Sequence, residues 1–257
     1  MKKAPTYLSC TVDADGIALL ELTRPEKHNA INDGFIAAIH AFFAAPPKDA
    51  RVIVMHTRGE NFCAGLDLSE HKERSPFEVM RHSQGWHRAF ELIQSGGLPV
   101  VAAMKGAVIG GGLELAMATH VRVSEPSTFY QLPEGQRGIF VGGGASVRVA
   151  RAIGAGRMTE MMLTGRRYDA EDGLRLGLAH YLVGAGNALT KAIELARAIA
   201  SNAPLSNYAM LTAIARIDDM SASDGLYTES LVAALAQTSD DAKNGIAAFL
   251  ERKKKGA

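Results

Sequence analysis

Cysteine is scarce in this chain, with only Cys10 and Cys63 among 257 residues. Two isolated thiols make neither a metal-ligand spacing nor a disulfide framework, so reduced thiols, no disulfide and a cytoplasmic setting are expected. Excess charge of either sign is lacking too. Lys and Arg number 28 against 27 Asp and Glu, a formal net charge of +1. Nothing argues for a long nucleic-acid track, no nucleic acid is expected as a partner, and any basic site must be local. No apolar run reaches membrane-spanning length, and the two lysines after Met1 lead into no apolar segment, so neither a membrane span nor a secretory leader is expected. The eight histidines contain no HExxH-like pair, and His82 and His87, five apart, do not share a helix face well, so no metal site is predicted. Fixed-period repeats are also lacking. What remains is a chain that is 47% hydrophobic. That is long enough to bury a substantial core in one domain, with room for a C-terminal appendage, and ample for an enzyme.

Strand and helix patterns alternate along it. Tyr7 to Val12 and Ile17 to Thr23 read as strands joined by the turn-forming Asp13-Ala14-Asp15-Gly16, a hairpin. Asn32 is placed to cap a helix whose Phe35, Ile36, Ile39, Phe42 and Phe43 recur at helical spacing until Pro46-Pro47 stops it. Arg51 to Thr57 reads as a buried strand, and strand, helix, strand implies a parallel crossover. A polar stretch from Ser69 to Pro76, read as a mobile loop, precedes a helix to about Gln94. Val100 to Met104 is another buried strand, His120 to Ser124 and Thr128 to Gln131 are short strands, and Ser146 to Ile153 turns helical. Beyond Gly184 four helices are expected: Ala188 to Ser201, Pro204 to Ile217, Ser223 to Gln237 and Asp240 to Lys255.

The densest chemistry lies between Ala107 and Glu134. Gly110-Gly111-Gly112 stands where strand gives way to the helix-forming Leu113 to Ala118, and glycine there lets a ligand approach backbone N–H groups at a helix start. A second turn, Ala64-Gly65-Leu66-Asp67, follows the Arg51 to Thr57 strand. Each turn can aim a backbone N–H at one carbonyl oxygen, which makes an oxyanion hole, and the carboxylates Glu114 and Glu134 can supply proton transfers beside it. Spacing alone fits equally a pair of glycine turns that permit tight helix–sheet packing beside two solvated glutamates. The triple glycine is not a dinucleotide fingerprint, for the G-x-G-x-x-G spacing is missing. Cys63 reads as a small packing residue, and Met158, Met161 and Met162 as core or pocket lining.

The order of these pieces is what identifies a family. Arg24-Pro25 with Asn29-Ala30, Phe62 to Leu68, Pro99 to Ala103 followed by Gly106, Gly110 to Ala116, Pro133-Glu134, the Gly142 to Gly144 loop, Leu163-Thr164-Gly165 and Phe249-Leu250-Glu251 stand in the order and approximate spacing of the enoyl-CoA hydratase/isomerase (crotonase) family. The chain resembles that family from about residue 8 to residue 253.

The resemblance implies an α/β fold, a spiral of ββα units over residues 1–200. A C-terminal helical region, 201–257, would build trimers or dimers of trimers and cover the site. It implies an acyl-CoA substrate, CoA being part of that substrate and no separate cofactor being needed. By family position Leu66 and Gly111 would form the oxyanion hole, Glu114 and Glu134 the catalytic pair, and Gly142 would orient water. Arg24, Lys27, Ala64, Asp67 and Arg252 are the candidates for substrate or CoA contact, with Asp67 as a brace of its loop, and Arg252 also reads as part of a solvated basic C-terminus. Retention of both glutamates favours hydration of a trans-2-enoyl-CoA. A Δ3,Δ2-enoyl-CoA isomerase, another acyl-CoA reaction, or a non-catalytic acyl-CoA- or RNA-binding member are the alternatives. Gln131, Gln136-Arg137 and Val141 depart from the hydratase pattern, either reshaping the acyl pocket or adjusting packing.

Overall fold

The structure, a computed structural model, describes residues 6–70 and 72–255. Strands β1 (Leu8–Val12) and β2 (Ile17–Leu22) form the expected antiparallel hairpin. The Asp13 carboxylate accepts from the N–H groups of Asp15 and Ile17 at 3.0 and 2.8 Å and closes the turn. Helix α1 (Asp33–Ala44) starts where Asn32 accepts from the Phe35 N–H at 2.8 Å, an N-cap that satisfies one of the orphan donors of the first turn. The chain returns as β3 (Val52–Thr57), parallel to β2. Helix α2 (Pro76–Ser95) opens with a capping box between Ser75 and Glu78.

Two short strands follow, β4 (Val100–Ala103) and β5 (Ala107–Ile109), then helix α3 (Gly111–Met117). The next turn of the chain repeats that plan with β6 (Val121–Ser124), β7 (Phe129–Gln131) and α4 (Ala145–Ile153). Helices α5 (Ala155–Thr164) and α6 (Ala170–Leu176), strand β8 (Tyr181–Leu182) and helix α7 (Ala188–Ala200) complete the body. Helices α8 (Pro204–Ile217), α9 (Ala222–Gln237) and α10 (Asp240–Lys255) end the chain.

The strands stack in two columns. One is a sheet in the order β1-β2-β3-β4-β6-β8, parallel from β2 onward. The other is made of shorter pieces: Ile31 bridges Leu66, Cys63 bridges Val108, β5 pairs with β7, and Tyr130 bridges Tyr168. A chain that visits first one column and then the other, with a helix before each return, is a spiral. Strand β5 is not visible in the sequence pattern, because three residues bounded by glycines carry no readable periodicity.

From β2 to β6 the large sheet is covered on both faces, while the edge strands β1 and β8 are partly exposed. Ile53 and Met55 belong to the main core with Phe35, Phe90 and Leu115, whereas their neighbours Val52 and Val54 face α7, the alternation that a pleated strand imposes. Helix α7 meets that second face with Ala188, Ala192, Ala196 and Ala200, small side chains four apart that let helix and sheet approach closely. Helix α8 packs on α2 and α9 on α8. Helix α9 buries only Gly225, while Leu226, Tyr227, Leu231 and Leu235 are exposed. Of the polar stretch expected to be a mobile loop, Leu68–Glu70 forms a 3-10 turn, Arg74 is paired with Asp33 at 2.8 Å, and His71 lies outside the described residues. Among the described residues no helix is long and apolar enough to cross a membrane.

Candidate active site

Both glycine turns meet at one point. Asn29 and His28 adopt left-handed backbone angles, φ 54° and 51°, which turn the chain so that Ile31 can pair with the Gly65–Asp67 segment. The Ile31 N–H donates to Gly65 O at 2.7 Å and the Asp67 N–H to Ile31 O at 2.9 Å. On its other side the segment follows β5, with Ile109 N–H donating to Cys63 O at 3.1 Å. Gly65 has φ 91°, and a Cβ there would lie 2.7 Å from the Ile109 carbonyl oxygen and 3.3 Å from the Gly111 nitrogen. Only glycine fits. The turn at Gly65 that leads into Leu66 therefore abuts Gly111, the first residue of α3. Neither the Leu66 N–H nor the Gly111 N–H donates to another group among the described residues.

Glu114 sits in the first turn of α3 and is only 3% exposed. Its Oε1 accepts from the N–H of Gly143 at 2.7 Å and of Ala145 at 3.0 Å, so the glycine loop before α4 is folded around it. Burial raises its carboxyl above the ordinary value of 4.5, while the amides of Ala145 and Gly143 and the charge of Arg148 oppose the rise. Arg148 supports the glycine loop, a contact that sequence reasoning missed. It donates to the Gly143 carbonyl at 3.1 Å and to the Gln94 side chain, with Glu91 at 3.8 Å. An arginine inside an amphipathic helix carries no signal of this role.

Glu134 comes from the turn after β7 and is 7% exposed. Its Oε1 would stand 2.7 Å from a Cβ at position 110, which puts the carboxyl against the N-terminus of α3. Among the described residues Oε2 is buried without a hydrogen-bond partner. Burial pushes this carboxyl up to about 7, and the nearby Glu114 carboxylate adds to the rise. The structure thus brings the two glutamates and the two amides together. Gly142 stands at the edge of the same group, its carbonyl held by Ser83 Oγ at 2.6 Å and its N–H donating to no group among the described residues.

The remaining candidates form a second cluster around the Arg24 loop. Asp67 Oδ1 accepts from the Ser69 hydroxyl at 2.6 Å and from the Ser69 N–H at 3.0 Å, and Oδ2 lies 2.7 Å from Arg24. These contacts, that of the Ser69 hydroxyl first, hold its carboxyl below the usual range, and they make Asp67 a brace. Arg24 also binds Glu70 at 2.6 Å and the Ala30 carbonyl at 2.8 Å. Its guanidinium is therefore engaged within the loop. Lys27 is exposed, with Nζ 3.2 Å from Ser69 Oγ. The Ala64 N–H donates to His28 O at 3.0 Å. The Arg252 side chain lies outside the described residues.

The unusual Gln131 to Val141 segment is tied down by its glutamines. Gln131 donates to Gly165 O at 2.6 Å and Gln136 to Thr164 O at 3.4 Å, closing the C-terminal end of α5, while Phe140 is left 70% exposed. Met158 and Met161 are core residues. Cys63 is fully buried, its thiol donating to Asn29 O at 3.0 Å and pushed up to about 12. No group of three or more His, Cys, Asp or Glu suited to a metal ion occurs among the described residues. A cavity of about 990 Å³ lies behind the glycine loop between α2, α4 and α8, and neither glutamate lines it.

Residues 13–256 match the family model described as enoyl-CoA hydratase/isomerase. The Arabidopsis thaliana protein named "Probable enoyl-CoA hydratase 2, mitochondrial" is 34% identical over 242 residues, covering 93% of this chain and 80% of that protein. A crystal structure from Rhodopseudomonas palustris CGA009, provisionally named an enoyl-CoA hydratase, is 49% identical, with a TM-score of 0.94 over 98% of this chain and 97% of that one. The enoyl-CoA hydratase structure from Bacillus anthracis is 28% identical, with a TM-score of 0.90 over 96% and 97% of the two chains. The expected crotonase-type α/β spiral is the fold observed. With a family model spanning nearly its whole length and a relative 34% identical of which it covers 80%, the chain belongs to the enoyl-CoA hydratase/isomerase family.

Proposed function

We propose that this protein is an enoyl-CoA hydratase, adding water reversibly to a trans-2-enoyl-CoA. The observation that carries the reading is the pairing of two buried carboxyls, one of them raised to about 7, beside two amide donors without partners among the described residues. A thioester is an electron sink. Attack of a water oxygen on Cβ sends the π electrons through Cα to the thioester oxygen, and donors preorganised at that oxygen stabilise the charge as it develops. Leu66 and Gly111 supply the donors in this reading. Glu114, held by two amides that favour its ionised form, accepts a proton from the water, which the Gly142 N–H orients. Glu134, near half-protonation at neutral pH, shares the activation of water and delivers the proton that Cα needs. Two like charges this close titrate as a coupled pair, so one ionised and one protonated carboxyl is the favoured arrangement. The chemistry needs no metal or redox group.

In the same reading Lys27 meets CoA phosphates at the mouth of a loop that Arg24 and Asp67 hold in shape, with Arg252 as a candidate from a neighbouring subunit. Exposed Ile214, Leu226, Tyr227, Leu231 and Leu235 on α8 and α9 support assembly as a trimer or a dimer of trimers, since an apolar surface of that kind calls for a partner. The deciding test is a turnover screen of short, medium, branched and aromatic enoyl-CoAs, followed by loss of the conjugated absorbance and by product mass. A product heavier by one water, lost in Glu114→Gln and Glu134→Gln variants that still bind CoA, supports hydration. An unchanged mass with a shifted double bond would replace it with isomerisation.

A further inference from the structure

Gly142, Gly143 and Gly144 carry the amides around Glu114, and three successive residues without side chains cannot fix their own peptide planes. The fixing comes from one face of α2. Ser83 donates its hydroxyl to the Gly142 carbonyl at 2.6 Å. That carbonyl and the Gly143 N–H belong to the same peptide unit, and the Gly143 N–H donates to Glu114 Oε1 at 2.7 Å. In a planar trans peptide the two groups point in opposite directions. A hydroxyl on one side and a carboxylate on the other therefore set the rotation of the plane between them, and each bond polarises the other.

Three residues further along the same face stands Trp86, only 5% exposed. Its ring lies against two glycines at once. A Cβ at position 143 would be 3.0 Å from Trp86 Cε3, and a Cβ at position 111 would be 2.6 Å from Trp86 Cζ3. The indole is held in turn, edge-on to Phe90 at 5.7 Å between ring centroids and with Nε1 3.4 Å from His82 Nε2.

We propose that Ser83 and Trp86 are positioning residues for the acyl-CoA reaction. Ser83, acting through the Gly142–Gly143 peptide, and Trp86, acting through its contact with Gly111 and Gly143, set the distance between the oxyanion donors and Glu114. The inference rests on the proposed function for its effect on turnover, and on the contacts alone for its effect on the loop.

The chain has a single tryptophan, so its indole emission reports this contact directly. The experiment compares the wild type with Ser83→Ala and Ser83→Thr. It measures steady-state hydration of a short enoyl-CoA across pH, backbone amide exchange at Gly143 and Ala145, and tryptophan emission. Misplacing a catalytic group by about 1 Å can cost up to about a hundredfold in rate. Ser83→Ala is therefore expected to lose kcat by about that factor with KM within about twofold. The acid limb of its rate profile should move to higher pH as the Gly143 N–H bond that favours the Glu114 charge weakens. Amide exchange at Gly143 should quicken, the emission should change, and Ser83→Thr should restore most of all four. Wild-type kcat, pH profile and Gly143 protection in Ser83→Ala overturn the proposal. So does a loss that Ser83→Thr fails to restore. If the wild type hydrates no thioester the functional reading fails by itself. The exchange and emission data then decide alone, with quickened exchange in Ser83→Ala upholding the clamp and unchanged protection overturning it.

Discussion

Replacing Glu134 by glutamine should stabilise this protein in neutral and alkaline solution while abolishing its turnover. The carboxyl is 7% exposed, its Oε2 has no partner among the described residues, and burial pushes it from 4.5 up to about 7. A group whose folded pKa is raised binds its proton more tightly in the native state. An acid of this kind therefore carries no penalty well below 4.5, where both states are protonated. The penalty grows as the pH rises and is complete above about 7, where both states are ionised. At about 1.4 kcal/mol for each pH unit, the full penalty is roughly 3 kcal/mol at pH 8 and about 1 kcal/mol at pH 5. Glutamine keeps the shape and removes the charge, and it also relieves the repulsion that Glu134 exerts on Glu114. Urea denaturation of the wild type and Glu134→Gln at pH 5 and pH 8, at one protein concentration because any assembly adds its own stability, measures the difference. The variant should gain about 2 kcal/mol more at pH 8 than at pH 5, with an unchanged m-value. Equal differences at the two pH values, or a variant less stable than the wild type at pH 8, would refute the assignment of Glu134 as a buried and strained acid.

Three further outcomes follow from the same geometry. Gly143→Ala places a Cβ 2.7 Å from Glu114 Oε2 and 3.0 Å from Trp86, so steady-state assays of the folded variant should show kcat reduced by about a hundredfold or more; wild-type turnover would show that the loop tolerates displacement. Arg24→Met leaves Asp67, whose side chain is 5% exposed, without its counter-ion, and should lower stability by about 2 to 3 kcal/mol at pH 7. Because Asp67 is held below its ordinary 3.8, that loss shrinks as the pH falls through this range, which denaturation at pH 7 and pH 3.5 checks. Native alkylation with iodoacetamide at pH 8 should label Cys10 and spare Cys63, whose thiol is fully buried and pushed up to about 12. Mass spectrometry of peptides reads the ratio, and fast labelling of Cys63 would mean that the segment behind the oxyanion turn opens readily.

What the sequence showed, and what it hid, divides along a physical line. Elements with a long period were legible: α1 from Asn32 and its Phe and Ile spacing, α2 as a helix running to about Gln94, and the four C-terminal helices to within a few residues. Strands β5 and β8 were not, at three and two residues, because their existence depends on a neighbour already in place and not on their own pattern. The same distinction runs through the site. Groups that must be a particular residue type stood out, such as the glycines that admit backbone at Gly65 and Gly111 and the carboxylates at Glu114 and Glu134. Arg148, Ser83 and Trp86 are ordinary helix residues until the fold turns each of them toward the glycine loop. A loop of bare glycines announces that something must approach it. What approaches can be read only from structure, since the indole and the hydroxyl on α2 reach it across a separation of some sixty residues of chain, and nothing local in the sequence records such a meeting.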